Sequence, residues 1–202
     1  MTSSDTTQGL IVEIVGSIAI IRFDRPAKRN SLSQDLLDRL EKALSACLSR
    51  NDIVALIFIG TGDVFASGAD ILELSGLNPE SALAFSQRGQ KIFQMIAEAP
   101  QITIAAINGY CMGGALDLVL ACDIRIASSK AIFAHPGAKL GIITGWGGTQ
   151  RLPRLIGKTR ALEFFITARR IPSDEALAIG LVSEVHDPVL DRAIELASIT
   201  KE

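Results

Sequence analysis

The sequence predicts an α/β fold, and three observations carry that expectation. Ile53 to Ile59 and Ile102 to Ile107 are continuous apolar runs, the pattern of strands covered on both faces. Leu36, Leu37, Leu40, Ala43, Leu44 and Cys47 recur at helical spacing and make one apolar stripe. Glycine, proline or Asn-Gly punctuates the chain between such runs. Strands that alternate with helices in this way pack as an α/β domain.

Each element follows in order. Leu10 to Val15 and Ser17 to Phe23 are β-rich runs parted by Gly16, which predicts a hairpin. Asp24 to Ser31 is a polar loop, and Ser33 caps the helix that follows. After the strand ending at Ile59, Gly60 to Ala69 reads as a glycine-punctuated loop. Asp70 with Glu73 marks a helix start. A helix over Glu80 to Ala97 stops before Pro100. The strand Ile102 to Ile107 leads through Asn108-Gly109 into a helix from Ala115 to Ala121. Asp123 to Ala127 and Ala131 to Ala134 are strands. Gly145 to Leu155, Thr159 to Thr167 and Ser173 to Ala178 are helices, Leu181 to Val185 is a late strand, and Pro188 opens a last helix. Residues 1–9 are expected to be a flexible tail and residues 10–202 a single domain. The mainly helical part after about Gly137 is expected as a peripheral cap.

Composition narrows the function. An apolar fraction of 48% in 202 residues supplies a large core, while aromatics at 5% leave that core to Ile, Leu, Val and Ala. A net charge of −2 with mixed signs lacks the basic footprint of a nucleic-acid binder. No apolar run reaches the roughly 18 residues that cross a bilayer. The polar start lacks the pattern of a secretory signal. Cys47, Cys111 and Cys122 are widely spaced in apolar surroundings, which fits a reducing, cytoplasmic compartment better than a disulfide framework. No Cys/His spacing suggests a metal site.

The chemistry concentrates where Ile102 to Ile107 runs into Asn108-Gly109-Tyr110-Cys111-Met112-Gly113-Gly114. Backbone N–H groups at a helix start are unpaired and partly positive. Glycines let a ligand oxygen come close to them. Such a turn can cradle a developing oxyanion. Other motifs fail. Gly157-Lys158-Thr159 has the tail of a phosphate loop, but Leu152 stands where that motif needs glycine. No Gly-x-Ser-x-Gly elbow and no dinucleotide fingerprint occurs.

Phe65-Ala66-Ser67-Gly68-Ala69-Asp70-Ile71, Asn108 to Asp123 and Gly141 to Pro153 together resemble the crotonase, or enoyl-CoA hydratase/isomerase, superfamily. Arg25 to Leu32 and Gly180 to Ser183 extend the likeness to nearly the whole chain. The resemblance implies a crotonase-like spiral of repeated ββα units with a short helical C-terminal region. It also implies assembly as trimers or pairs of trimers, and a coenzyme A thioester as substrate with no tightly bound cofactor. By motif position, the N–H groups of Ala69 and Gly114 would grip the thioester oxygen. Ala27, Lys28, Arg29, Ala66, Gly68 and Ile71 would contact coenzyme A, the two cations near its phosphates. Tyr110, Gly113, Gly137 and Trp146 are candidates for the acyl site. Asp70 needs no chemistry, since capping a helix explains it.

The sequence departs from the family at its carboxylates. Hydratases of the family use two glutamates, and the matching positions here are Asp117 and Gly137. Losing one methylene draws a carboxylate back by about 1 Å, a misplacement that can cost on the order of 100-fold in rate. Dienoyl-CoA isomerases carry Asp at the first position, with further carboxylates that are absent here at Gly137 and Gly145. Dihydroxynaphthoyl-CoA synthases share the glycine, but their downstream Ser and Asp are not matched by Ile142, Ile143 and Thr144. Asp117 is the candidate base. His135 stands two residues before Gly137 and is a second candidate, since histidine exchanges protons near neutral pH. These residues suit one-base double-bond isomerisation better than two-carboxylate hydration. The alternatives are an acyl-CoA-binding protein with little catalysis and a thioester decarboxylase.

Overall fold

A computed structural model describes residues 4–7 and 9–199. Strand β1 (Ser4–Thr7) pairs antiparallel with β2 (Leu10–Val15), which turns at Gly16 into β3 (Ile18–Phe23). Gly16 has φ +62°, the left-handed conformation such a turn favours. Residues 4–7 are therefore not the tail that the polar sequence suggests. Backbone pairing with the open edge of β2 needs no apolar side chain. Met1 to Ser3 and Gln8 lie outside the described residues.

A single 3-10 turn (Pro26–Lys28) precedes α1 (Gln34–Leu48), whose N-terminus is capped by Ser33 Oγ accepting from Leu36 N at 3.3 Å. Helix α1 buries the stripe the spacing predicts, Leu36, Leu37, Leu40, Leu44 and Cys47. Strand β4 (Ala55–Gly60) is fully buried and runs parallel to β3. Strand β5 (Val64–Ala66) follows, then α2 (Ile71–Ser75), capped by Asp70 Oδ1 accepting from Leu72 N at 3.0 Å. Helix α3 (Pro79–Ala97) opens on an Asn78–Ser81 capping box. Its charged face meets α1 through Lys91–Glu41 (2.7 Å) and Arg88–Asp38.

The spiral emerges from the next segments. Strands β6 (Ile102–Ile107) and β7 (Tyr110–Met112) lead into α4 (Gly114–Val119), and β8 (Ile124–Ala127) and β9 (Ile132–Ala134) into α5 (Gly137–Leu140). The longer strand of each pair enters one sheet and the shorter enters another. The chain continues through α6 (Gly148–Ile156), α7 (Lys158–Thr167), β10 (Ile171–Pro172), α8 (Ser173–Ala178), β11 (Glu184–Val185) and α9 (Val189–Ile199). The large sheet runs β1-β2-β3-β4-β6-β8-β11 and the small one β10-β9-β7-β5. Strands β3, β4, β6, β8 and β11 are mutually parallel, as are β5, β7 and β9. Asp123 ties two units together: its Oδ2 accepts from Thr103 N and Oγ1, both at 2.8 Å, while its own N–H donates to Thr103 Oγ1.

The inner face of the large sheet packs with the small sheet and the helices around Phe23, Phe58, Phe65, Phe93 and Phe133. Its outer face presents Ile18, Ile20, Ile57, Ile104 and Ile126. Left in water, that face would expose a continuous apolar patch. Helix α9 covers it with Val189, Ala193 and Ala197. The region after Gly137 is thus no peripheral cap. It supplies a strand to each sheet and the cover for the outer face. The late strand is shorter than expected, two residues at Glu184–Val185.

Candidate active site

Two loops are fastened side by side before any ligand is considered. Asn30 is completely buried in the first loop. Its side chain accepts from Arg25 N at 2.8 Å and donates to the carbonyls of Val64 (2.8 Å), Thr61 (3.2 Å) and Phe65 (3.3 Å). Main-chain bonds Ser67 N to Arg29 O and Leu32 N to Gly68 O complete the seam. Asn108 does similar work one unit on, accepting from Gly60 N at 3.0 Å and donating to Gly62 O at 2.9 Å. Gly109 leaves no room for a side chain against Asp63 O.

These seams bring the Ala69 and Gly114 amides together. A Cβ built on Gly114 would stand 3.5 Å from Ala69 N, and one built on Gly68 would stand 3.0 Å from Gly114 N. Among the described residues neither amide donates a hydrogen bond. Both residues lie on the wall of a cavity of about 440 Å³. Gly68, Gly113, Gly137, Ile71, Trp146 and His135 share that wall. Its mouth is apolar, with Ile71 60% and Ile143 68% exposed.

Trp146 both lines the cavity and belongs to the core. Its ring sits 5.0 Å from Phe85 and 5.5 Å from Phe93, its indole N–H donates to Phe85 O at 3.2 Å, and Gly89 and Gly114 both lie flat against it. The loop before it is clamped to α3, where Ser86 Oγ (2.8 Å) and Gln90 Nε2 (2.7 Å) donate to Gly145 O.

Asp117 departs from expectation. Its side chain is completely buried and does not line the cavity. Oδ2 accepts from Thr144 Oγ1, and Oδ1 faces His135 Nε2 at 3.5 Å. Thr144 and His135 do line the cavity, so they screen the carboxylate from it. Asp117 also acts on its surroundings. Burial pushes the Cys111 thiol well up, and the carboxylate charge adds to that. Burial lowers the pKa of Arg151, with Asp117 pulling the other way.

Gly137 is not simply a missing carboxylate. A Cβ there would lie 2.6 Å from Ile142 O and 3.5 Å from His135 Nδ1, so the position admits no side chain. Ala66 is fully buried in the core and does not line the cavity. Tyr110 does not line the cavity either; its ring lies beneath Arg29, 5.4 Å from the guanidinium carbon. Ala27, Lys28 and Arg29 are exposed on the first loop, beside the cavity but not on its wall. Sequence reasoning missed Thr144, whose one signal was its place in the Gly141 to Pro153 motif. It also missed Leu74 and Phe85, which look like ordinary helix stripe residues, and Leu77, which lies between two helices. Among the described residues no cluster of His, Cys, Asp and Glu could hold a metal ion, and no helix is long and apolar enough to cross a membrane.

The sequence pattern of the enoyl-CoA hydratase/isomerase family matches residues 13–201. The chain is 38% identical over 192 residues to a short-chain-enoyl-CoA hydratase of Clostridium acetobutylicum, covering 94% of this chain and 74% of that protein. It is 40% identical over 182 residues to a crotonyl-CoA hydratase of Syntrophomonas wolfei, covering 90% and 70%. The crystal structure of an enoyl-CoA hydratase from Bacillus anthracis superposes with a TM-score of 0.90 at 38% identity, over 95% of this chain and 76% of that one.

Proposed function

Because the chain belongs to the enoyl-CoA hydratase/isomerase family, whose enzymes act on acyl-CoA, we propose that it shifts a double bond along an acyl-CoA by passing one proton between two carbons. The thioester oxygen would sit between the Ala69 and Gly114 amides. The observation that carries this reading is a pair of amides that, among the described residues, have no hydrogen-bond partner, on the wall of an apolar cavity that no carboxylate of those residues lines. Removing the α-proton of a 3-enoyl thioester delocalises negative charge onto that oxygen. Donors already aimed at it stabilise the charged state more than the neutral carbonyl, which lowers the barrier. The same proton then returns at the γ-carbon, giving the conjugated 2-enoyl thioester with no water consumed. Hydration asks more, because one group must activate water while a proton is placed on the α-carbon.

Conversion of a 3-enoyl-CoA and hydration of crotonyl-CoA are both followed by the absorbance of the conjugated thioester, which rises in the first and falls in the second. Isomerisation should outpace hydration. Hydration as the faster reaction defeats the reading. Tight binding of butyryl-CoA without turnover of either substrate supports the acyl-CoA-binding alternative instead.

Lys28 and Arg29 would meet the coenzyme A phosphates as exposed cations. Replacing both with alanine should raise KM, leave kcat alone and flatten the dependence of KM on salt. A trimer or a pair of trimers is the assembly this reading carries, and sedimentation of the purified protein tests it.

A further inference from the structure

We infer that His135 is the group that exchanges the proton with substrate, and that Asp117 and Thr144 are positioning residues behind it. This rests on the acyl-CoA reading above and assigns its proton carrier. Among the described residues, His135 is the one ionisable side chain on the cavity wall. It is 5% exposed, so it is held by its surroundings and still reaches the cavity.

The two ring nitrogens face different partners. Nε2 stands 3.5 Å from Asp117 Oδ1, longer than an ordinary N–H···O hydrogen bond, and neither atom has a hydrogen-bond partner among the described residues. Nδ1 lies on the side of Gly137, 3.5 Å from where a side chain there would begin. The glycine therefore leaves Nδ1 uncovered where a Cβ would stand over it. Phe165 contacts the ring edge-on at 5.2 Å and limits its rotation. Thr144 occupies the other carboxylate oxygen, which leaves Oδ1 for the imidazole. A carboxylate that binds one ring nitrogen fixes the tautomer, leaving a lone pair on the other. A hydrogen bond closed across the 3.5 Å between Nε2 and Asp117 Oδ1 would put the proton on Nε2 and the lone pair on Nδ1.

The step balances without a further reactant. The Nδ1 lone pair takes the α-proton, and the C–H electron pair passes into a dienolate whose oxygen lies between the two amides. The imidazolium so formed faces Asp117, which offsets its charge. Nδ1–H then gives the proton to the γ-carbon, and the ring returns to its neutral form.

The first test needs no substrate. Nitrogen-15 NMR of the wild-type protein should show neutral His135 protonated on Nε2, and Asp117→Asn should disturb that preference. Protonation on Nδ1 overturns the inference. The second test is kinetic. His135→Ala should lose about 100-fold or more in kcat, on the scale of general acid–base catalysis. It should keep its affinity for butyryl-CoA and regain rate with added imidazole. Asp117→Asn and Thr144→Val should lower kcat by smaller factors with KM unchanged. Full activity in His135→Ala together with none in Asp117→Asn would make the carboxylate the direct base and overturn the inference. A wild type that turns over no thioester defeats the isomerase reading instead, and the tautomer measurement still decides the geometry.

Discussion

Substituting Gly114 with alanine puts the amide pair under direct strain. The new methyl would run into the Cζ3 and Cε3 atoms of Trp146. The ring cannot retreat, because Gly89 lies against its other part, Phe85 and Phe93 flank it, and its N–H is bound to Phe85 O. The first residue of α4 must move instead, and its N–H moves with it. Displacement of a reacting group by about 1 Å costs on the order of 100-fold, and loss of one oxyanion donor costs about 3 kcal/mol. We therefore expect kcat for 3-enoyl-CoA isomerisation to fall by about 100- to 1000-fold. Overpacking of this kind should also lower stability by about 1–3 kcal/mol. Steady-state kinetics and urea unfolding of the same preparation separate the two effects. A folded Gly114→Ala protein with kcat within about threefold of wild type, far inside the 100-fold range above, would refute the assignment of this amide.

Three further outcomes follow from other contacts. Gly137→Glu restores a carboxylate in name, but its Cβ would meet Ile142 O at 2.6 Å, so it should destabilise the protein and gain no hydratase activity; crotonyl-CoA hydration faster than wild type would contradict this. Asn30→Ala removes a partner from backbone groups of four residues, those of Val64 and Phe65 buried, at about 1–3 kcal/mol for a buried group left unpaired, and a urea midpoint unchanged from wild type would show that the seam contributes nothing. Arg169 holds the Glu175 carboxyl below its ordinary 4.5, chiefly through its side-chain hydrogen bonds. A lowered folded-state pKa contributes stability above the unfolded value and loses it as pH falls through the lowered one. The melting temperatures of wild type and Arg169→Ala should therefore differ at neutral pH and converge on acidification below 4.5; the difference is small because both side chains are partly exposed.

How far the sequence could be read depended on length and on reach. Strands β4 and β6 are six buried residues each and announce themselves by apolar runs. The Ser33 and Asp70 caps are local chemistry and stand where the residue types predict them. Strands β5, β7 and β10 have three residues or fewer, too short to show a period, and read as loop and turn. The role of α9 depends on an apolar sheet face assembled from distant segments, so its stripe alone could not reveal what it covers. At the site, the turns that set Ala69 beside Gly114 are legible because they require glycines in a particular local sequence. Asp117 is not, because its distance from the cavity depends on Thr144 and His135, 27 and 18 residues further along the chain. Composition says nothing of that layering.

The segregation of strands by length has a consequence for how such a site can diversify. Ala69 follows β5 and Gly114 follows β7, and β5 and β7 are adjacent parallel strands of the small sheet. Neighbouring strands lie about 4.8 Å apart, whatever side chains they carry. The two loops that follow these strands thus set out one ladder spacing apart, as hooks hung from neighbouring rungs do. On the proposed reading, substitutions on the facing wall leave that spacing untouched, so one fold would exchange its reagents while keeping its hold on the oxygen.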